Sequence, residues 1–252
     1  MKKIAVVHEW FTSHAGSEKV VEQILRLYPH AHLYSLVDFL PESLRYFIGN
    51  QSVNTSFIQR LPFARRHFRS YLPLMPLAIE QFDLSEYDLI ISSHHAVAKG
   101  VITRPDQLHI SYVHTPLRYG WELQHQYLHQ AGLTRGLKSG LTRLFLHYLR
   151  LWDVASAHRV DRYIANSKYV ARRVAKTYRR DADVIYPPVD TKRFCADCRR
   201  DDFYLTVSRF VPYKRVDLTI AAFNVLGLPL VVIGDASSNQ DSDRLRKLAQ
   251  PN

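Results

Sequence analysis

The sequence predicts an α/β protein, a Rossmann-like N-terminal domain followed by the start of a second Rossmann-like domain. Three observations predict it. Short β-branched runs alternate with longer amphipathic ones, as in a parallel sheet covered on both faces by helices. The alternation breaks once, where Tyr186-Pro187-Pro188-Val189-Asp190 places two prolines that cannot continue a sheet ladder, ahead of the polar stretch 191–202. It then resumes at Phe203. The predicted organisation is a domain over residues 1–190, a linker over 191–202 and an incomplete second domain over 203–252.

In the first domain, strands are expected at Ile4–Val7, His32–Leu36, Asp88–Ser92, His109–Val113, Arg162–Ala165 and Asp183–Tyr186, each ending where a polar or glycine-containing loop begins. Helices are expected at Glu18–Leu27, around Leu137–His158, and at Lys168–Tyr178. In the long one, Leu141, Leu144, Phe145, Tyr148, Trp152 and Ala155 recur at three- and four-residue spacing, which predicts one buried stripe. The second domain reads as strand Phe203–Val207, helix Val216–Leu226, strand Leu230–Ile233 and a short helix near Asp243–Leu248. Two strands cannot cover a parallel sheet, so the apolar residues Leu205, Val207, Leu230, Val232 and Ile233 should be partly bare. The sequence is expected to be C-terminally truncated.

Composition narrows the class. A chain of 252 residues that is 46% hydrophobic can bury a substantial core, which argues against disorder. No run of 18 apolar residues occurs, and the start Met1-Lys2-Lys3-Ile4 is charged too early for a signal peptide, so a cytoplasmic location is expected. A net charge of +11 suits nucleic acid, an anionic membrane surface or phosphorylated substrates. Cys195 and Cys198 form a lone Cys-x-x-Cys, half of a tetrahedral zinc site, and read as free thiols in the linker.

Four segments carry candidate chemistry. In Ser208-Arg209-Phe210-Val211-Pro212-Tyr213-Lys214-Arg215, a strand-to-helix loop sets Arg209 and Lys214 beside the N–H groups of a first helical turn, a place to hold phosphate. The alternative is a solvated basic turn. After the first strand, Ala15-Gly16-Ser17-Glu18 opens a helix, so Gly16 and Ser17 can admit a ligand to the backbone or simply form an N-cap. His114-Thr115-Pro116-Leu117-Arg118-Tyr119-Gly120-Trp121 puts a histidine at the C-terminal end of a parallel strand, the edge where doubly wound sheets bind ligands. Asn166-Ser167 follows another strand, as site residue or helix N-cap, and His94, His95 and Lys99 are candidates for a pocket wall.

Taken in order, these segments resemble the glycine-rich loop, the acceptor-side histidine motif and the donor-diphosphate motif of family 4 glycosyltransferases, retaining enzymes of the two-domain GT-B fold. The resemblance spans nearly the whole chain, although Ala15-Gly16 stands where the family often has two adjacent glycines. The His114–Trp121 region is similar to bacterial surface-polysaccharide mannosyltransferases. The resemblance implies transfer of a sugar, with mannose as the guess, from a nucleotide-diphosphate sugar to a saccharide or lipid-linked acceptor, without a cofactor or required metal. His114, Arg209 and Lys214 would be catalytic, and Gly16, Ser17, Asn166, Arg209 and Lys214 would bind substrate. The family's two glutamates separated by seven residues are absent, the last glutamate here being Glu122. Activity of this chain alone is therefore in doubt, and a non-catalytic or partner-dependent subunit is the alternative.

The stretch Phe57–Tyr71 interleaves cations with aromatics, which fits peripheral contact at the inner face of the cell membrane or a solvated helix whose aromatics enter the core. Nucleic acid is not an expected partner, because no recognised binding module accompanies the charge.

Overall fold

The structure, a computed structural model, describes residues 2–192, 201–211, 214–234 and 239–249. It separates into two units, Met1–Val189 and Asp190–Asn252. Cys195 and Cys198, most of the expected linker, and Pro212 and Tyr213 of the basic loop lie outside the described residues.

Strands β1 (Ile4–His8), β2 (His32–Ser35), β3 (Val53–Thr55), β4 (Leu89–His94), β5 (Leu108–Val113), β6 (Arg162–Ala165) and β7 (Asp183–Val184) make one sheet in the first unit. Every pairing is parallel, in the order β3-β2-β1-β4-β5-β6-β7. The chain winds outward from β1 to β3, then restarts at β4 on the other side of β1. The C-terminal ends of β1 and β4 therefore flank the point where the winding reverses, the position at which open α/β sheets form their binding crevice. Strand β3 escapes the sequence reading because three residues show no period. Strand β7 is shorter than expected, since Pro187 and Pro188 follow and the Ile185 carbonyl accepts from Tyr112 Oη at 2.8 Å instead of continuing a ladder.

Helices of this unit are α1 (Gly16–Leu27), α2 (Ala64–His67), α3 (Met75–Glu80), α4 (Gln124–Gln130), α5 (Leu137–Ala157) and α6 (Lys168–Tyr178). Strand residues alternate between the two faces. Val6, Leu33 and Ile91 pack with Val21 and Leu25 of α1 on one face. Ala5, Val7 and Ile90 pack with Ile79, Leu146, Leu149 and Trp152 on the other. Further along that second face, Tyr163 and Ala165 meet Val170, Val174 and Tyr178, one i, i+4, i+8 stripe of α6.

Helix α5 corrects an expectation. Its buried face is Leu146, Leu149, Trp152, Asp153, Ser156 and Ala157, whereas Leu141, Leu144 and Tyr148 of the expected stripe point to solvent. The cause is a buried ion pair. Lys99, fully enclosed, places Nζ 2.9 Å from Asp153 Oδ1 and donates to the Asp153 carbonyl at 2.7 Å and Ser156 Oγ at 2.6 Å. Tyr178 Oη and Trp121 Nε1 also donate to the Asp153 carboxylate, at 3.1 and 2.8 Å. Burying a lysine unpaired would cost far more than exposing three apolar side chains, so Asp153 sets the rotation of the helix.

In the Phe57–Tyr71 stretch, Ile58, Ala64 and Phe68 enter the core while Phe57 and Phe63 face outward. No helix among the described residues is long and apolar enough to cross a membrane.

In the second unit, β8 (Tyr204–Val207) and β9 (Leu230–Ile233) pair in parallel. Helix α7 (Val216–Leu226) buries Val216 and Ile220, and ends at Gly227, whose φ of 64° is one that glycine adopts without strain. Helix α8 (Asn239–Leu248) follows. Leu205, Val207 and Ile233 are exposed, as two uncovered strands require.

Candidate active site

Four strand ends meet at the point of reversal. A cavity of about 490 Å³ opens there, lined by Gly16 and Ser17 after β1, His95 after β4, His114, Thr115 and Arg118 after β5, and Asn166 and Arg173 after β6, with Tyr169, Val170 and Pro187. The structure thus brings Gly16, Ser17, His114 and Asn166 to one place. Arg209 and Lys214 belong to the second unit.

At the mouth of α1, Ala15 is the N-cap, with Gly16 and Ser17 forming the first helical turn. Ser17 is therefore not the cap. Glu18 completes the turn: its Oε2 accepts from Ala15 N at 3.1 Å and from Ser17 Oγ at 2.9 Å. A Cβ on Gly16 would meet nothing within 4 Å, so the backbone there borders open space and its N–H can be approached.

The carboxylate of Glu18 begins a buried polar chain. Its Oε1 lies 3.5 Å from His8 Nε2; His8 Nδ1 is 3.0 Å from Ser93 Oγ, and Ser93 Oγ is 2.9 Å from His114 Nε2. At 3.5 Å the first of these is an electrostatic contact, and His8 Nε2 makes no hydrogen bond among the described residues. Ser93 Oγ has a single proton to share between the two rings, so it donates to at most one of them. Burial, reinforced by His8, His95 and His94 nearby, lowers the His114 pKa to about 3 and keeps the ring neutral. For Glu18, burial works to raise the pKa, but His8, a backbone N–H and the Ser17 hydroxyl together bring the value to about 2.

A second carboxylate shapes the opposite wall. Glu9, fully buried, accepts from the backbone N–H groups of His95, Ala96, Val97 and Ala98 at 2.7–3.0 Å, folding the chain after β4 around one anion. Burial opposes its ionisation, yet His94, His95 and the Val97 amide hold its pKa well below the usual carboxylate range. This turn presents His95 to the cavity. His94, by contrast, is an interior residue with Nδ1 3.4 Å from Glu9, and Lys99 is sealed against Asp153, so neither forms a pocket wall.

Asn166 and Ser167 divide the two roles open to them. Ser167 Oγ accepts from Val170 N at 3.2 Å as the N-cap of α6, while Asn166 faces the cavity and donates from Nδ2 to the His114 carbonyl at 3.0 Å. Tyr169 and Arg173, one turn apart on α6, add an aromatic face and a cation; Arg173 donates to Thr115 Oγ1 and pairs with Glu122. The i, i+3, i+7 spacing from Asn166 was the signal that could have found them.

In the second unit, Arg209 and Lys214 are exposed on the loop between β8 and α7. Arg215, with φ of 51°, caps α7 and holds Asp217 at 3.2 Å. Among the described residues, no group of three or more His, Cys, Asp or Glu is placed to hold a metal ion.

No curated protein matches this sequence. Among solved structures, Anabaena HepE in complex with UDP is similar with a TM-score of 0.55 at 15% identity, over 98% of this chain and 64% of HepE. HepE in complex with UDP-glucose gives a TM-score of 0.54 at 14% identity, over 97% of this chain and 65% of HepE. The chain spans a little under two thirds of that relative. At such identities the likeness is one of fold, the Rossmann-like α/β architecture of GT-B glycosyltransferases. A family model described as Glycosyltransferase Family 4 matches residues 15–193, from the Gly16 turn through every strand end that lines the cavity. On that match the chain belongs to glycosyltransferase family 4.

Proposed function

We propose that this chain carries the acceptor-side domain, and the opening of the donor-side domain, of a retaining glycosyltransferase that uses a nucleotide-diphosphate sugar. The observation that supports this most is the convergence of Gly16, Ser17, His114 and Asn166 in one cavity at the sheet's point of reversal. HepE has been crystallised with UDP and with UDP-glucose, which favours a nucleotide sugar as donor. Mannose is the sugar favoured by the His114–Trp121 resemblance, and a saccharide or lipid-linked alcohol is the acceptor. The reading assigns no cofactor and no metal, and a cytoplasmic site of action.

In this reading the bond between the sugar's anomeric carbon and the β-phosphate oxygen breaks, and the diphosphate leaves with the electron pair. The acceptor hydroxyl bonds to the same face of the anomeric carbon, and its proton passes to a departing phosphate oxygen. Arg209 and Lys214 neutralise the diphosphate through charge-assisted hydrogen bonds. Neutral His114, its Nε2 held by Ser93, hydrogen-bonds a sugar hydroxyl and orients it.

The test is a transfer assay with UDP- and GDP-linked glucose and mannose, in which the anomer formed is read by NMR. Retained configuration and a strong loss of turnover in Arg209→Ala, Lys214→Ala and His114→Ala support the reading; an inverted product, or near-normal turnover in all three, overturns it. The alternative reading is a non-catalytic or partner-dependent subunit. Binding of a nucleotide sugar with no transfer until another chain is added would support that one.

A further inference from the structure

The fold uses the backbone of His95 rather than its side chain. The His95 N–H donates to Glu9 Oε1 at 2.9 Å, as the N–H groups of Ala96, Val97 and Ala98 also do, and any residue other than proline at position 95 would keep that bond. The imidazole stands edge-on to Trp10 with ring centroids 4.6 Å apart, a contact that a phenyl ring makes as well. Its Nδ1 is enclosed and has no hydrogen-bond partner among the described residues. A polar ring kept in such a place calls for an explanation outside the fold. His95 lines the cavity, and with Nδ1 enclosed, Nε2 is the polar atom left to meet a ligand there.

The surroundings of the ring specify what that ligand group is. His114 lies 6.4 Å away between ring centroids, with the two planes at 70°. Both rings are neutral, since burial brings the pKa of His95 to about 4 and that of His114 to about 3. Two buried carboxylates lie behind them: Glu9 bonds the His95 backbone, and Glu18 is 3.5 Å from His8, which reaches His114 through Ser93. This wall therefore meets a phosphate with neutral rings and repelling charges. A hydroxyl suits it, because a hydroxyl donates and accepts at once and satisfies a neutral imidazole in either tautomer.

We propose that His95 is a second sugar-binding residue, its Nε2 contacting a hydroxyl beside the one that His114 contacts, so that the two imidazoles hold neighbouring hydroxyls of one sugar ring. The spacing of the pair is preset by the sheet: His94 and Val113 are partners in the last register position of β4 and β5, and the two histidines follow them. Hydrogen-bonding groups fixed in this way lose little freedom when the sugar arrives. That the occupant is a sugar rests on the sugar-transfer reading, whereas the assignment to His95 rests on its own geometry.

Imidazole nitrogen NMR of the 252-residue protein, titrated with UDP-glucose, GDP-mannose and inorganic phosphate, tests it. The His95 and His114 resonances should both move with a nucleotide sugar, and His95 should not respond to phosphate. Two variants separate ligand contact from packing. His95→Phe keeps a ring against Trp10 and should weaken binding of the same nucleotide sugar by about five- to tenfold. His95→Gln, whose side-chain amide reaches the place of Nε2, should keep most of the affinity. The backbone bonds to Glu9 persist in both, so their thermal midpoints should stay near that of the parent. The reverse order, with the Phe variant like the parent and the Gln variant impaired, is a packing role and overturns the proposal. Shifts at His114 without His95 overturn it while leaving the sugar-transfer reading intact, and a His95 that responds to phosphate alone makes the wall an anion site instead. No response of either ring to either nucleotide sugar also overturns it, and the transfer assay then decides the sugar-transfer reading separately.

Discussion

Ser93 Oγ stands 2.9 Å from His114 Nε2, and through His8 this contact ties the histidine at the end of β5 to the carboxylate at the mouth of α1. One hydroxyl therefore links the two rings. In Ser93→Ala the two histidines lose their connecting group and the tautomer balance of His114 should shift. Nitrogen-detected NMR of the imidazole rings reads this directly. The parent should show His114 neutral down to about pH 4, whereas an unperturbed histidine would be charged by then. A His114 that titrates near 6.5 would contradict the buried neutral ring.

Acid stability has a definite sign. Burial brings the pKa of His95 and His109 to about 4 and that of His114 to about 3, against 6.5 in an unfolded chain. Between these values the unfolded state binds protons that the folded state refuses. Stability is thus fully present above about pH 6.5 and falls as pH drops toward 4, by up to about 1.4 kcal/mol per pH unit for each histidine. Glu18, lowered to about 2, adds loss below about 4.5 in the same direction. Urea midpoints should hold between about pH 7.5 and 6.5 and decline from there to about 4.5, and a flat profile throughout would contradict the buried neutral histidines.

Lys99 and Asp153 should behave as a unit. Lys99→Ala strands the Asp153 carboxylate, and Asp153→Ala strands the ammonium, each at a cost of about 3–5 kcal/mol in urea unfolding. The paired replacement Lys99→Met/Asp153→Leu removes both charges, and should recover a large part of the loss despite the unsatisfied Tyr178, Trp121 and Ser156 groups left behind. Additive single losses in the double variant would show that the two residues do not interact.

Gly100→Ala tests the packing beneath α5. A Cβ at this position would stand 2.3 Å from Trp152 Cζ2, and the indole cannot swing away freely because its Nε1 donates to Glu80 at 2.9 Å. Overpacking of about 1–3 kcal/mol is expected, with a lower thermal midpoint. Gly16→Ala, whose added methyl faces open space, should leave the midpoint unchanged and serves as the control.

Much of this architecture is legible in the chain because parallel strands buried on both faces read as short apolar runs, and because helices α6 and α7 carry uninterrupted periodicity between clear caps, Ser167 for the first and Gly227 for the second. The positions of Gly16, His114 and Asn166 were also readable, since each falls just after a strand in a sheet whose strands all point one way. The chain from Glu18 through His8 and Ser93 to His114 was not. Its members are 85 and 21 residues apart at the longer steps, and each taken singly looks like a cap, a core histidine or a strand serine.

Local pattern determined the elements, their order and the edge of the sheet at which a ligand would sit, because backbone propensity and apolar periodicity act over a few residues. Only the tertiary structure decided how those elements are turned. The rotation of α5 depends on Lys99, distant in sequence, reaching Asp153, and its exposed leucines follow from that one electrostatic requirement. The polar chain that reaches His114 depends in the same way on β1 and β4 lying side by side, with His8 and Ser93 in register. Pairing of charges and sharing of protons are set by distance in space, and the sequence by itself does not contain that distance.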